Sequence, residues 1–129
     1  MTLSFCKEER LYGKRLFDNL LRDNKNFVRY PIRVLYRIRE NKSSFPARIA
    51  VSVGKRRFKH AVDRNIIRRK IKESYRLNKS EFFELIPDNM SIDILFIYLD
   101  YNILDYDTIN KALKASLEKI TRNFLTQGE

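Results

Sequence analysis

In "YPIRVLYRIRE" the apolar and polar positions alternate: Ile32, Val34, Tyr36 and Ile38 face one way, Arg33, Arg37 and Arg39 the other. Period two predicts a half-buried strand, with Pro31 near its start, where a missing N–H is tolerated. "ARIAVSVGK" repeats the pattern, with Ile49, Val51 and Val53 opposite Ala50, Ser52 and Gly54. Separated by the polar turn "NKSSFP", the two runs read as neighbouring antiparallel strands. A short strand around Phe27 and Val28 precedes them. Helical spacing of Leu11, Leu16, Phe17, Leu20 and Leu21 predicts a first helix over residues 8–23.

Beyond the strands, helical spacing resumes from about residue 59 to 78, followed by a shorter helical turn in "SEFFEL" that stops before Pro87. "SIDILFIYLD" is apolar on both faces, which suits an interior strand covered on each side. Ile109, Leu113, Leu117, Ile120 and Phe124 make the last helix, from about Asp107 to Phe124, amphipathic. The order α-β-β-β-α-β-α predicts an α+β sandwich.

The 129 residues suffice for one domain with a real core, and 43% apolar content excludes global disorder. No run of 18 apolar residues suggests a membrane span, and "MTLSFCKEERL" lacks the apolar core of a signal peptide. Cys6 stands alone, which excludes an internal disulfide. The expectation is a cytoplasmic, reduced protein.

Charge sharpens this picture. Residues 55–76 carry ten Lys/Arg against Asp63 and Glu73, a net of +8 within a total of +11. Residues 79–129 hold five basic against nine acidic side chains. A solvated basic face would intersperse both signs; polarised charge predicts a surface aimed at a polyanion. A membrane partner fits less well, because no segment pairs the basic face with a strongly apolar one.

Arg64, Arg68, Lys72 and Arg76 follow one another at i, i+4, and with Asn65 and Arg69 they occupy one arc of the helix. Ile67, Ile71, Ser74 and Tyr75 cluster elsewhere and can pack on the sheet. Like charges at that spacing cost about 0.2–0.5 kcal/mol per pair. Phosphates lying along the ridge relieve that repulsion, and guanidinium forks grip phosphate bidentately. "GKRRFK", with Lys55, Arg56, Arg57 and Lys59, carries the charge into the preceding loop. A strand and an acidic helix flank the basic helix, unlike a helix-turn-helix, so RNA fits better than DNA.

"AVSVGKRRFKHAVDRNIIRRKIKESYR" resembles the signature of the protein subunit of bacterial ribonuclease P, a strand ending in Lys followed by a helix with an Arg-Asn-Arg core. "ERLYGKRLFDNLL", "RVLYRI" and "IDILFIYL" resemble that family's first helix, aromatic-bearing strand and last strand, so the resemblance covers roughly residues 8–122. It implies a ribosomal-protein-like fold with a left-handed βαβ crossover, where the general rule predicts right-handed. It also implies a ribonucleoprotein that removes the 5′ leader of precursor tRNA, with a catalytic RNA using Mg²⁺. Lys55, Arg56, Arg57, Lys59, Arg64, Asn65, Arg68, Arg69, Lys72 and Arg76 would bind the catalytic RNA. Phe17, Leu21, Tyr36, Ser52, Lys55, Arg64 and Asn65 would line a cleft for the single-stranded leader. The chain departs from the pattern at Ile66, where Arg is usual, at Leu21, where an aromatic is usual, and near Arg57, where a basic residue is inserted.

Three classes of function fit the residues: the non-catalytic subunit of a ribozyme, a ribosomal or general RNA-binding protein, and a nuclease with its own site. The last needs clustered carboxylates or a histidine pair. The acidic residues here are singly spaced, and His60, alone, suits a capping or exposed position. Phe17, Leu21 and Tyr36 also suit a core, and partial burial of Tyr36 beside Val34 and Ile38 is the plain alternative to stacking.

Overall fold

The computed structural model describes residues 18, 20–22, 24–40, 47–86 and 90–127. Residues 18 and 20–22 are helical and belong to the first helix, α1. They are followed by β1 (Lys25–Arg29), β2 (Ile32–Glu40), β3 (Ala47–Val53), α2 (Ala61–Glu84), β4 (Met90–Tyr98) and α3 (Tyr106–Gln127). The expected polar turn at 41–46 and the expected helical positions Leu11, Leu16 and Phe17 lie outside the described residues, as does Cys6.

The sheet order is β1-β2-β4-β3. β2 and β3 are therefore not neighbours, contrary to the reading of their alternation. β4 lies between them, antiparallel to β2 and parallel to β3. The physical reason is its composition: a strand apolar on both faces gains most from the interior of the sheet, and only the position between two others covers it fully. β3, α2 and β4 thus form a βαβ unit.

One face carries Ile32, Val34 and Tyr36 of β2, Ile92, Ile94, Phe96 and Tyr98 of β4, and Ala47, Ile49 and Val53 of β3, all buried. α2 closes it with Ile67, Ile71, Tyr75, Phe82 and Phe83, and α3 with Ile109, Leu113, Leu117 and Ile120. Each such side chain contributes about 1.5–3 kcal/mol on leaving water. The opposite face is smaller: Leu20 of α1 packs on Leu95, with Leu35, Ala50 and Ile97 around them. Next to this patch sits Asp93, 2% exposed. Arg48 donates to it through Nε and Nη2 at 3.0 and 3.3 Å. Register places Asp93 opposite both Arg48 and Arg37, so one carboxylate of β4 faces a cation on each neighbouring strand.

α2 is one continuous helix through residue 84, rather than a helix to 78 and a separate turn. Asn78 does not break it, because its side-chain amide donates to the Ser74 carbonyl and to Oδ1 of Asn110 on α3. Ser74 donates to the same oxygen at 2.6 Å, and Lys70 donates to the Leu104 carbonyl at 2.9 Å. Tertiary partners thus extend the helix past a weak local signal.

Tyr98 ends β4 and ties down the loop that leads to α3: its hydroxyl donates to the Asn102 carbonyl (2.7 Å) and accepts from the Leu104 N–H (3.0 Å). Tyr98→Phe should cost about 1–3 kcal/mol by stranding both groups. Chemical denaturation of the purified variant measures it.

Candidate nucleic-acid interface

The basic loop begins where β3 ends. Gly54 accepts hydrogen bonds from the N–H groups of Arg57 and Phe58 at 3.2 and 3.1 Å, which folds residues 54–58 into a turn. Phe58 is buried and its ring lies 6.0 Å from that of Tyr98, so an apolar anchor holds the loop to the core. Lys55, Arg56, Lys59 and His60 are left exposed. His60 occupies the N-cap position of α2, where its backbone carbonyl rather than its ring takes part, accepting from Asp63 and Arg64.

Several cations are occupied within the protein. Arg57 donates to the Tyr98 carbonyl at 3.2 Å and lies over the Tyr101 ring at 5.2 Å. Arg64 donates to the carbonyls of Phe58 and Lys59 at 2.7 and 3.1 Å, locking the loop onto the helix. Arg68 donates to Oδ1 of Asn65 at 3.2 Å. Arg76 pairs with Glu73 through two bonds, of 3.0 and 2.5 Å. That pairing holds the Glu73 carboxyl below its ordinary range and the Arg76 guanidinium above its own. Along the expected ridge, Arg64 is turned to the loop carbonyls and Arg76 is neutralised locally by Glu73. Arg64, Arg68 and Lys72 are half-buried beside the core face, whereas Asn65 and Arg69 are exposed.

The sheet's smaller face supplies a second surface. Across the strands, register aligns Val28, Arg33, Ile97 and Ser52 in one row. Val28, Arg33 and Ser52 are exposed and Ile97 is half-buried, so this row is an open strip. It runs between the Leu20 contact and the end of β3, where Lys55 follows. Sequence reasoning named Ser52 but missed Arg33 and Ile97, since only the strand order aligns them.

Tyr36 does not belong to that strip. It points to the α2/α3 face, is 1% exposed, meets Phe27 edge-on at 6.1 Å, and its hydroxyl accepts from the Asn123 amide. Its parity with Ile32 and Val34 carried that signal, and a stacking role for Tyr36 is withdrawn because no face of its ring is free. Leu21 is 56% exposed, on the helix whose Leu20 touches the sheet. Phe17, the other expected leader contact, lies outside the described residues. Among the described residues, no group of three or more His, Cys, Asp or Glu side chains is placed to hold a metal ion, and no helix is long and apolar enough to cross a membrane.

The family model for Ribonuclease P matches residues 5–121. The chain belongs to the ribonuclease P protein family. The ribonuclease P protein component of Porphyromonas gingivalis is 33% identical over 123 residues, covering 95% of this chain and 90% of that protein. The one from Petrotoga mobilis is 33% identical over 117 residues, covering 91% and 95%. Among solved structures, the ribonuclease P protein of Thermotoga maritima superposes with a TM-score of 0.67 at 25% identity, over 86% of this chain and 96% of that one. The Staphylococcus aureus ribonuclease P protein shares the fold, with a TM-score of 0.67 at 21% identity over 87% and 94%. The α+β order of the chain is that of ribonuclease P proteins, and the chain is the protein component of an endoribonuclease that processes tRNA precursors.

With its ring enclosed, Tyr36 acts on stability. Tyr36→Ala should lower the unfolding free energy by about 3–5 kcal/mol, as for other buried aromatics. In denaturant melts the loss should appear equally with and without RNA.

Proposed function

We propose that the exposed cations Lys55, Arg56, Lys59 and Arg69, with Arg68, Lys72 and Asn65 behind them, hold the ribonuclease P RNA through its phosphates. We further propose that the strip of Val28, Arg33, Ile97 and Ser52 takes the single-stranded 5′ leader of precursor tRNA. The observation that carries this reading is the fixed loop. Phe58 and Arg64 immobilise residues 54–59 while leaving Lys55, Arg56 and Lys59 in solvent, so little conformational entropy is lost on binding. Arg57, Arg64 and Arg76, given to RNA by the sequence pattern, serve first as internal fasteners.

The strip suits a leader for chemical reasons. A single strand offers base faces to Ile97 and Val28 and phosphates to Arg33 and Lys55, whereas a closed RNA helix shields its bases. The Mg²⁺ of the cleavage step is assigned to the RNA, whose phosphates suit a hard cation that keeps its waters. The protein's own part is to position RNA segments and neutralise their charge.

Two measurements test this. Arg56→Ala and Arg69→Ala should each reduce the log–log salt slope of binding to ribonuclease P RNA by roughly 0.7–0.9 and leave the thermal midpoint unchanged. A slope that stays put means these side chains only face solvent. Arg33→Ala should weaken precursor tRNA binding to the holoenzyme more than mature tRNA binding. An equal effect on both would remove the strip from the leader's path.

A further inference from the structure

Beyond the Val28–Arg33–Ile97–Ser52 strip on the sheet's smaller face, two neighbouring loops each present an exposed aromatic. The turn between β1 and β2 presents Tyr30, 63% exposed, and the loop after β4 presents Tyr101, 70% exposed. The two loops are fastened to each other. The Leu99 N–H donates to the Pro31 carbonyl at 2.8 Å, and the Tyr30 hydroxyl donates to the Asp100 carboxylate, next in sequence to Tyr101. Asp100 also accepts from the Asn102 N–H at 2.7 Å. Arg57, tethered to the Tyr98 carbonyl, lies 5.2 Å from the Tyr101 ring centroid. With a guanidinium over one face, the exposure of that ring leaves its other face open.

We propose that Tyr101 and Tyr30 form a base-stacking platform for leader nucleotides upstream of those held in the strip. This rests on the strip being the leader's path. Exposed rings interleaved with fixed cations are what a single strand needs, because every base has a π-face and each stack is independent of sequence. Lys55, exposed on the adjoining loop, offers a phosphate contact. Asp100 settles the orientation: its carboxylate repels phosphate, so the backbone runs on the Lys55 side and the bases turn toward the tyrosines. The Tyr30 hydroxyl serves the loop contact with Asp100, but neither ring is buried in the core, so the aromatic faces themselves are not used by the fold.

The test uses the holoenzyme reconstituted with ribonuclease P RNA. Its ligands are a precursor tRNA with a long uridine leader, one whose leader is too short to pass beyond the strip, and mature tRNA. Tyr101→Ala should weaken binding of the long-leader precursor by about tenfold, within the usual worth of one stack, and leave the other two unchanged. Tyr101→Phe keeps the ring and should bind like the wild type. Equal losses on long and short leaders, no loss on the long one, or a loss that Tyr101→Phe shares overturns the platform. If wild-type holoenzyme bound precursor and mature tRNA equally, the leader reading would fall first and the platform with it. That result is separable because it appears before any substitution is made.

Discussion

A strand with apolar side chains on both faces has to be covered on both faces, and the arrangement of this protein comes from satisfying that need for β4. Ile92, Ile94, Phe96 and Tyr98 require the α2/α3 layer; Leu95 requires Leu20 of α1. Placing β4 between β2 and β3 makes β3 and β4 parallel, and a parallel pair needs a crossover, which is α2. The crossover starts at the end of β3, so the basic loop and the first turns of α2 gather at one end of the sheet. The basic cluster sits where it does because a hydrophobic strand had to be buried.

Concentrating ten cations in residues 55–76 is costly, and the structure shows how the cost is contained. Arg57 and Arg64 direct their guanidinium groups at backbone carbonyls, and Arg76 is neutralised by Glu73. The Arg57 and Arg64 bonds also stiffen the loop on which Lys55, Arg56 and Lys59 stand. The charges that remain outward are fewer than the sequence suggests but better fixed, which favours tight and specific phosphate contact over mere attraction.

The sheet divides its labour by face. The larger face is closed by two helices and holds most of the buried side chains among the described residues, Tyr36 included. Among the described residues the smaller one is covered around Leu95, with Asp93 and Arg48 beyond, and the row of Val28, Arg33 and Ser52 is exposed. A surface can bind a flexible strand only if it is not needed to hold the fold together, and that row meets the condition.

Periodicity by itself determined the element order, the two core-facing helices and the burial of Ile67, Ile71, Ser74 and Tyr75, since side-chain direction follows from local geometry. The charge count along the chain likewise fixed which helix is the basic one, and the motif around Asn65 pointed to the family. Strand neighbours were not legible, because alternation shows that a strand has two faces and says nothing of which strand lies beside it. Nor was the fate of individual arginines: whether Arg64 or Arg76 reaches solvent depends on a carbonyl or a carboxylate brought within 3 Å by folding. Tyr36 shows the boundary most clearly. Its parity placed it with Val34 and Ile38, but only α3, arriving from the far end of the chain with Asn123, decided that this side of the sheet is sealed.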